Sequence, residues 1–583
     1  MPLIVRLSLA AVAALSVLGS TTAEACGCFA GPTTATTPVI QAGERILFAV
    51  QNGKVTAHIQ IQYAGDAKDF GWLLPLPSVP VLKAGTDELF TQLSATTDPR
   101  FTLTFEQVGT CRARPTPLFG GCGPTFARSA GDATVLNEAG QSPDSQPKGP
   151  LVFQSSVGPY DAAVLKADNK DEMLRWLSTN RFVVPTTSDA ALAPYLRPGA
   201  YFLALKLKSG KTAGDLTPIV VEYPSELPMI PITLTSIGAT PNMGVQVFLV
   251  GNGRAIPRNY RHAVVNETLL DWETNGQSYQ SLVTRAVQEA PGRHAFVTDY
   301  AGPSSVMRDV LVPSGRFGTE AVLATATSPE AFVQLLWSQG FGLLPPVADP
   351  TLQFAVPPPP PARLAPALQA VVLRYLPIPA TLVAQGVTPD EWFGNFAQLD
   401  RNARQSNPMD YTNYPPFDAR QLAREVFAEY VAPVREANEL FRTFPTLTRL
   451  FTTLSPEDMT RDPVFAFNPS LPEVPRVRAG RQQFNCETGQ VRIVTPAGTS
   501  RPVDFSQRGQ GTPPTLGTGP GSLRIETLGE EGEPLVETNN EAAIRTHFPE
   551  PPLLPQGGCT SVPDPVALAL FALAARFRRR RAP

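Results

Sequence analysis

Between Lys54 and Pro80 the chain reads KVTAHIQIQYAGDAKDFGWLLPLPSVP, and this stretch restricts the fold more than any other. Val55, Ala57, Ile59, Ile61 and Tyr63 alternate with Thr56, His58, Gln60 and Gln62. A period of two predicts a strand with one buried and one wet face. His58 falls on the polar face and is expected to be solvated. Gly65 and Asp66 mark a turn, and the returning FGWLLPLP, apolar on both faces, reads as a strand covered on both sides. Pro75, Pro77 and Pro80 cannot donate ladder hydrogen bonds, so that strand must end among them as extended chain. The chain holds 62 prolines in 583 residues, roughly twice the usual 5% share, which excludes a compact helical bundle.

The first 25 residues read as a secretory signal. Arg6 supplies the positive end, Leu7 to Leu18 the apolar core, and Ala23-Glu24-Ala25 a cleavage site before Cys26. Glu24 does not suit a lipobox, so ordinary cleavage is expected. In an exported chain the six cysteines point to disulfides rather than thiol chemistry. Cys111 and Cys122 bracket a Pro/Gly-rich loop and are expected to pair, contributing about 3 kcal/mol by chain entropy. Pairing among Cys26, Cys28 and Cys486 cannot be read. The net charge of −3 gives no electrostatic case for nucleic acid.

Along the chain, TDELFTQL predicts a short helix with Thr86 as its N-cap and Leu89, Phe90 and Leu93 as its apolar stripe. A strand around Ala162 to Leu165 precedes a helix capped by Asp168 or Asn169, with Met173, Leu174 and Leu177 inward. YFLALKL and PIVVEY read as further strands. Residues 343–362 carry five consecutive prolines, Pro357 to Pro361, a stiff spacer that marks a domain boundary. Beyond it, Thr388-Pro389-Asp390-Glu391 and Ser455-Pro456-Glu457-Asp458 each read as a helix start. Leu422, Val426 and Tyr430 recur at helical spacing. After Val494 the composition turns to Gly, Pro, Thr and Ser, with one strand-like island, SLRIETL.

The runs ERILFAV, FGWLLPLPSVP, VGPYDAAVL and NYRHAVVNETLLDW together resemble a family of secreted bacterial proteins grouped as domain of unknown function 2330. The resemblance covers mainly residues 26 to about 340 and more loosely the region to about 480. It implies no activity and carries over no site residues.

The C-terminus has its own pattern. Cys559 is followed by a Pro-containing spacer, ten apolar residues from Val566 to Ala575, and Arg576, Arg578, Arg579, Arg580 and Arg581. The run is too short to span a bilayer, which takes about 20 residues. This order resembles the C-terminal sorting tags of myxobacterial surface proteins. That resemblance implies cleavage near Cys559 and lipid attachment there, holding the protein on the outer surface.

Chemistry is sparse. The four histidines, His58, His262, His294 and His547, make no zinc or metalloprotease spacing. No nucleophile elbow or dinucleotide fingerprint occurs, and Gly251-Asn252-Gly253 reads as a turn. His294, Asp299, Ser304 and Ser305 form the single triad-like neighbourhood in sequence. Arg254, Arg258, Arg261 and His262 gather around Tyr260 and are the candidate binding residues, suited to an acidic sugar or a phosphate.

The expected fold is therefore α+β. A signal (1–25) precedes a strand-rich domain with a few packed helices (26–342). Then follow a Pro-rich linker (343–362), a mainly helical region (363–494), a Pro/Gly-rich stalk (495–558) and a sorting tag (559–583). No catalytic residues, metal or cofactor are assigned. The expected role is a non-enzymatic envelope protein that binds a partner protein or saccharide and is membrane-held through Cys559. The alternative is a secreted hydrolase using carboxylates that sequence does not single out.

Overall fold

The computed structural model describes residues 40–64, 71–109, 150–166, 168–182, 189–208, 216–346, 362–503 and 517–548. Its centre is a mixed ten-stranded sheet. The strand order is β20 (Leu535–Asn539), β19 (Ser522–Thr527), β12 (Arg261–Val265), β13 (Ala295–Pro303), β14 (Thr446–Leu454), β10 (Ala239–Gly251), β1 (Ile40–Gln51), β2 (Lys54–Ala64), β9 (Ile219–Pro224) and β4 (Val81–Ala84). β1 pairs with β10, and β12 with β13, in parallel; the other pairings are antiparallel. A four-stranded sheet orders β3 (Gly71–Leu76), β8 (Tyr201–Leu207), β7 (Tyr160–Lys166) and β6 (Leu151–Val157). Another orders β18 (Ser500–Pro502), β17 (Val491–Val494), β16 (Val477–Asn485) and β5 (Arg100–Val108). A two-stranded ribbon joins β11 (Arg254–Pro257) to β15 (Phe465–Asn468). The α+β class is as expected.

The central strands of the large sheet are buried on both faces, while its edge strands β20 and β4 are not. Along β1, Ile46 and Phe48 enter one core while Leu47 and Ala49 enter the other. The first core holds β3, β7 and β8, together with α2 (Lys170–Thr179) and α3 (Tyr279–Gln288). The second is roofed by helices: α1 (Asp87–Thr97), α4 (Pro329–Ser338), α5 (Pro366–Val372), α6 (Ala380–Ala384), α7 (Pro389–Gly394), α8 (Phe396–Ser406), α9 (Ala419–Val426) and α10 (Ala432–Thr443). Local signals hold: Thr86 caps α1 by accepting the Glu88 N–H, Asn169 caps α2, and Thr388 with Glu391 closes a capping box on α7. Glu88, in the first turn of α1, is paired with the buried Arg316 at 2.9 Å, tying the helical roof to the loop after β13.

Several expectations change. Within FGWLLPLP, Gly71–Leu76 does become a fully buried strand, β3, but it pairs with β8 rather than folding back on β2. His58 is buried, not solvated, and its Nδ1 has no hydrogen-bond partner. The helical roof covers the face of β2 that alternation marks as wet: Gln60 reaches Asp87 of α1 at 2.7 Å. Ser455 starts only a one-turn 3-10 segment, Pro456–Asp458. The region beyond the proline-rich stretch, expected to be mainly helical, holds α5 to α10 but also β14 to β17, and β14 enters the centre of the sheet between β10 and β13. Within the expected stalk, SLRIETL is β19, paired to β12 and β20, and α11 (Glu541–His547) follows it. The Cys111–Cys122 pairing, the polyproline run, the signal and the tail after Cys559 lie outside the described residues. Cys486, just past β16, is held in a disulfide.

Two predictions follow from this packing. A chain ended at Gly342 lacks β14 and should show no cooperative denaturant transition; near-UV circular dichroism with a sharp unfolding curve would contradict the shared sheet. His58 is depressed to about 4, chiefly because burial disfavours its charge. Its histidine therefore costs nothing above pH 6.5, and stability falls as pH drops from there toward 4, by up to about 3 kcal/mol. His58→Leu should flatten that acid limb in urea unfolding at pH 7.5 and 4.5; an unchanged difference between the two pH values would refute the assignment.

Candidate functional site

The site forms where β12, β13 and β19 run side by side. The register sets His262 opposite Glu526, 264 residues away in sequence. β12 also lies parallel to β13, which brings Thr298 to the other side of the imidazole. Arg254 begins β11 immediately after the Gly251–Gly253 turn. That turn needs glycine: Gly253 has φ +139°, and a Cβ there would sit 2.8 Å from the Pro469 Cα.

These four side chains form a continuous polar run, each at most 8% exposed. Arg254 Nη2 donates to Thr298 Oγ1 at 2.9 Å. Thr298 Oγ1 lies 3.1 Å from His262 Nε2, and His262 Nδ1 lies 3.1 Å from Glu526 Oε2. Arg524 Nε donates to the other carboxylate oxygen at 2.8 Å. The proton directions are forced. A guanidinium only donates, so the threonine oxygen accepts from Arg254 and turns its own hydrogen to Nε2. The imidazole then carries its proton on Nδ1 and gives it to Glu526.

Electrostatics agree with that arrangement. Burial pushes Glu526 up, but hydrogen bonds from His262 and Arg524 outweigh it and hold the carboxyl below its usual range. Burial lowers His262 most, the Glu526 hydrogen bond opposes, and Arg254 lowers it further, so the ring is neutral at neutral pH. Arg254 is lowered by burial to about 10, against the pull of Glu526, and stays a cation. It has no carboxylate partner among the described residues, and its buried Nε meets no acceptor. Its remaining contacts are Nη2 beside His262 Nε2 at 3.3 Å and a long bond from Nη1 to the Pro472 carbonyl, 3.4 Å.

The run opens on a cavity of about 530 Å³, walled by Thr298, His262, Tyr279, Arg478, Pro472 and Val536, among others. Arg478, from β16, ties the floor together, donating to Glu267 at 2.7 Å and to the Thr298 carbonyl at 3.1 Å. Beneath it Asp299 is fully buried and accepts the Tyr279 hydroxyl. Burial pushes Asp299 up to about 6, although Tyr279 and Arg478 pull the other way. Among the described residues no group of three or more His, Cys, Asp or Glu is placed to hold a metal ion.

Of the four candidates read from sequence, Arg254 and His262 meet here. Arg258 and Arg261 do not; they pair at the surface with Glu530 at 3.1 Å and Glu537 at 2.7 Å. The triad-like neighbourhood falls apart: His294 faces the Asp458 carbonyl and Thr460, while Ser304 donates to the Phe441 and Phe444 carbonyls. Thr298 and Glu526 were missed. The one local sign for Glu526 is that Arg524 and Glu526 alternate with Leu523 and Ile525, a charged face on a short strand.

No curated protein and no solved structure matches the chain. Residues 22–312 match a family described as an uncharacterised protein conserved in bacteria (DUF2330), a span that holds β1 to β13 with Arg254, His262 and Thr298 but not Glu526 or Arg478. Through that span the chain belongs to the DUF2330 family.

Proposed function

We propose that this is an exported envelope protein whose cleft binds a small ligand bearing a carboxylate, such as an acidic sugar. Arg254 carries the reading. A guanidinium more than nine-tenths buried, with an idle Nε and no carboxylate partner among the described residues, lines a cavity large enough for a monosaccharide. Leaving such a charge uncompensated away from water is costly, and an incoming anion offsets that cost. Tyr279 and the pyrrolidine of Pro472 offer flat apolar surface beside it, and small-ligand sites combine such walls with few polar groups.

Export is supported by the N-terminal 25 residues and by the disulfide at Cys486, since disulfides persist in oxidising compartments. Anchoring through Cys559 remains part of the same proposal. The Cys486 N–H donates to the Val108 carbonyl, and the chain turns at Gly109 with φ +84°. Cys111 follows two residues later in sequence. We therefore expect Cys486 to join Cys111, in place of the Cys111–Cys122 loop. Non-reducing peptide mapping checks this, and a linked Cys111–Cys122 peptide would refute it.

Binding is tested by calorimetric titration of the purified chain with galacturonate and with galactose. Galacturonate should bind and galactose should not. Arg254→Gln should weaken galacturonate by about tenfold to a hundredfold, the worth of one charged hydrogen bond. Equal behaviour of the two sugars, or unchanged affinity in the variant, would defeat the assignment.

A further inference from the structure

We propose that Thr298, His262 and Glu526 act as nucleophile, base and orienting carboxylate, so that the cleft hydrolyses an ester of an acidic substrate. This rests on the anion-binding reading of Arg254 and extends it from binding to turnover.

The geometry has the three features such a set requires. The hydroxyl and the base are in hydrogen-bond reach at 3.1 Å, and the base is held by a third group at 3.1 Å. The tautomer is the productive one, with Nε2 free to take a proton and Nδ1–H committed to Glu526. Thr298 and His262 both line the cavity, so an acyl group can approach the hydroxyl. A network serving packing alone would satisfy its members and close over them. This one leaves Arg254 Nε without an acceptor and faces open volume.

Arg254 also explains how substrate would switch the set on. Its charge lies beside Nε2, with Nη2 at 3.3 Å, and opposes formation of an imidazolium. A substrate carboxylate on Arg254 cancels that opposition, leaving Glu526 to stabilise the protonated ring. In the first step Thr298 Oγ1 bonds to the ester carbonyl carbon while its proton passes to Nε2. The bond to the alcohol oxygen then breaks, and that oxygen leaves with the proton from Nε2. In the second step water attacks the acyl-threonine, giving one proton to Nε2. The acid departs and Thr298 recovers its hydrogen. The sum is ester plus water to acid plus alcohol, with no oxidant or cofactor.

The test compares 4-nitrophenyl succinate monoester, which keeps a free carboxylate, with 4-nitrophenyl acetate on the purified full chain. The succinate ester should be turned over faster by about tenfold or more in kcat/KM, and Arg254→Gln should erase the preference. Thr298→Val, which keeps the shape, and Glu526→Gln should each lower kcat by about a hundredfold or more. Thr298→Ser should retain turnover, which a merely structural hydroxyl would not predict against the Val variant. Mass spectrometry of the quenched reaction should find a succinyl group on Thr298. Turnover that survives Thr298→Val, or an acyl group found on another residue alone, overturns the proposal. Galacturonate binding without any turnover overturns it too, while leaving the binding assignment standing. Loss of binding as well as turnover brings down both.

Discussion

The structure depends on one insertion. β14 lies between β10 and β13, hydrogen-bonded to both, although some 140 residues separate β13 from it in sequence. Without it β10 and β13 would present bare edges at the middle of the sheet, a state that folded proteins avoid. Its side chains also plug both cores: Leu447 enters the helical one, and Leu450, Phe451 and Leu454 the other. The helices before β14 therefore act as a long crossover connection that roofs the sheet they help complete.

That arrangement makes the cleft possible. Its groups come from β11, β12, β13, β16 and β19, and the last two lie beyond the insertion in sequence. Burial of ionised groups is tolerable only where each has a partner. Glu526 has His262 and Arg524, Glu267 has Arg478, and Asp299 has the Tyr279 hydroxyl, with Arg449 Nε 3.1 Å away though not aimed at it. Arg254 breaks that pattern, and the break lies at the cavity wall. Functional sites are where such local costs are retained.

Local chemistry was readable. Thr86, Asn169 and Thr388 cap the helices they were expected to cap, because a side-chain oxygen satisfying orphan N–H groups acts within four residues. β14 was not readable as a strand. Leu447, Leu450, Phe451 and Leu454 recur with a helix's spacing, and a central strand covered on both faces loses the alternation that would betray it. β2 shows the converse: its alternation is real, but His58 is buried because helices cover the polar face.

The sequence by itself determined the mixed strand and helix character, the helix caps, the turn at Gly251–Gly253 and the placing of Arg254 near His262, since eight residues separate those two. Only the tertiary structure decided which strands are neighbours. It thereby chose Thr298, 36 residues from His262, and Glu526, 264 residues away, as partners of the imidazole. The physical reason is that a strand's edge groups are the same whichever strand they meet. Pairing is settled by which register buries both cores at once, and no local pattern carries that information.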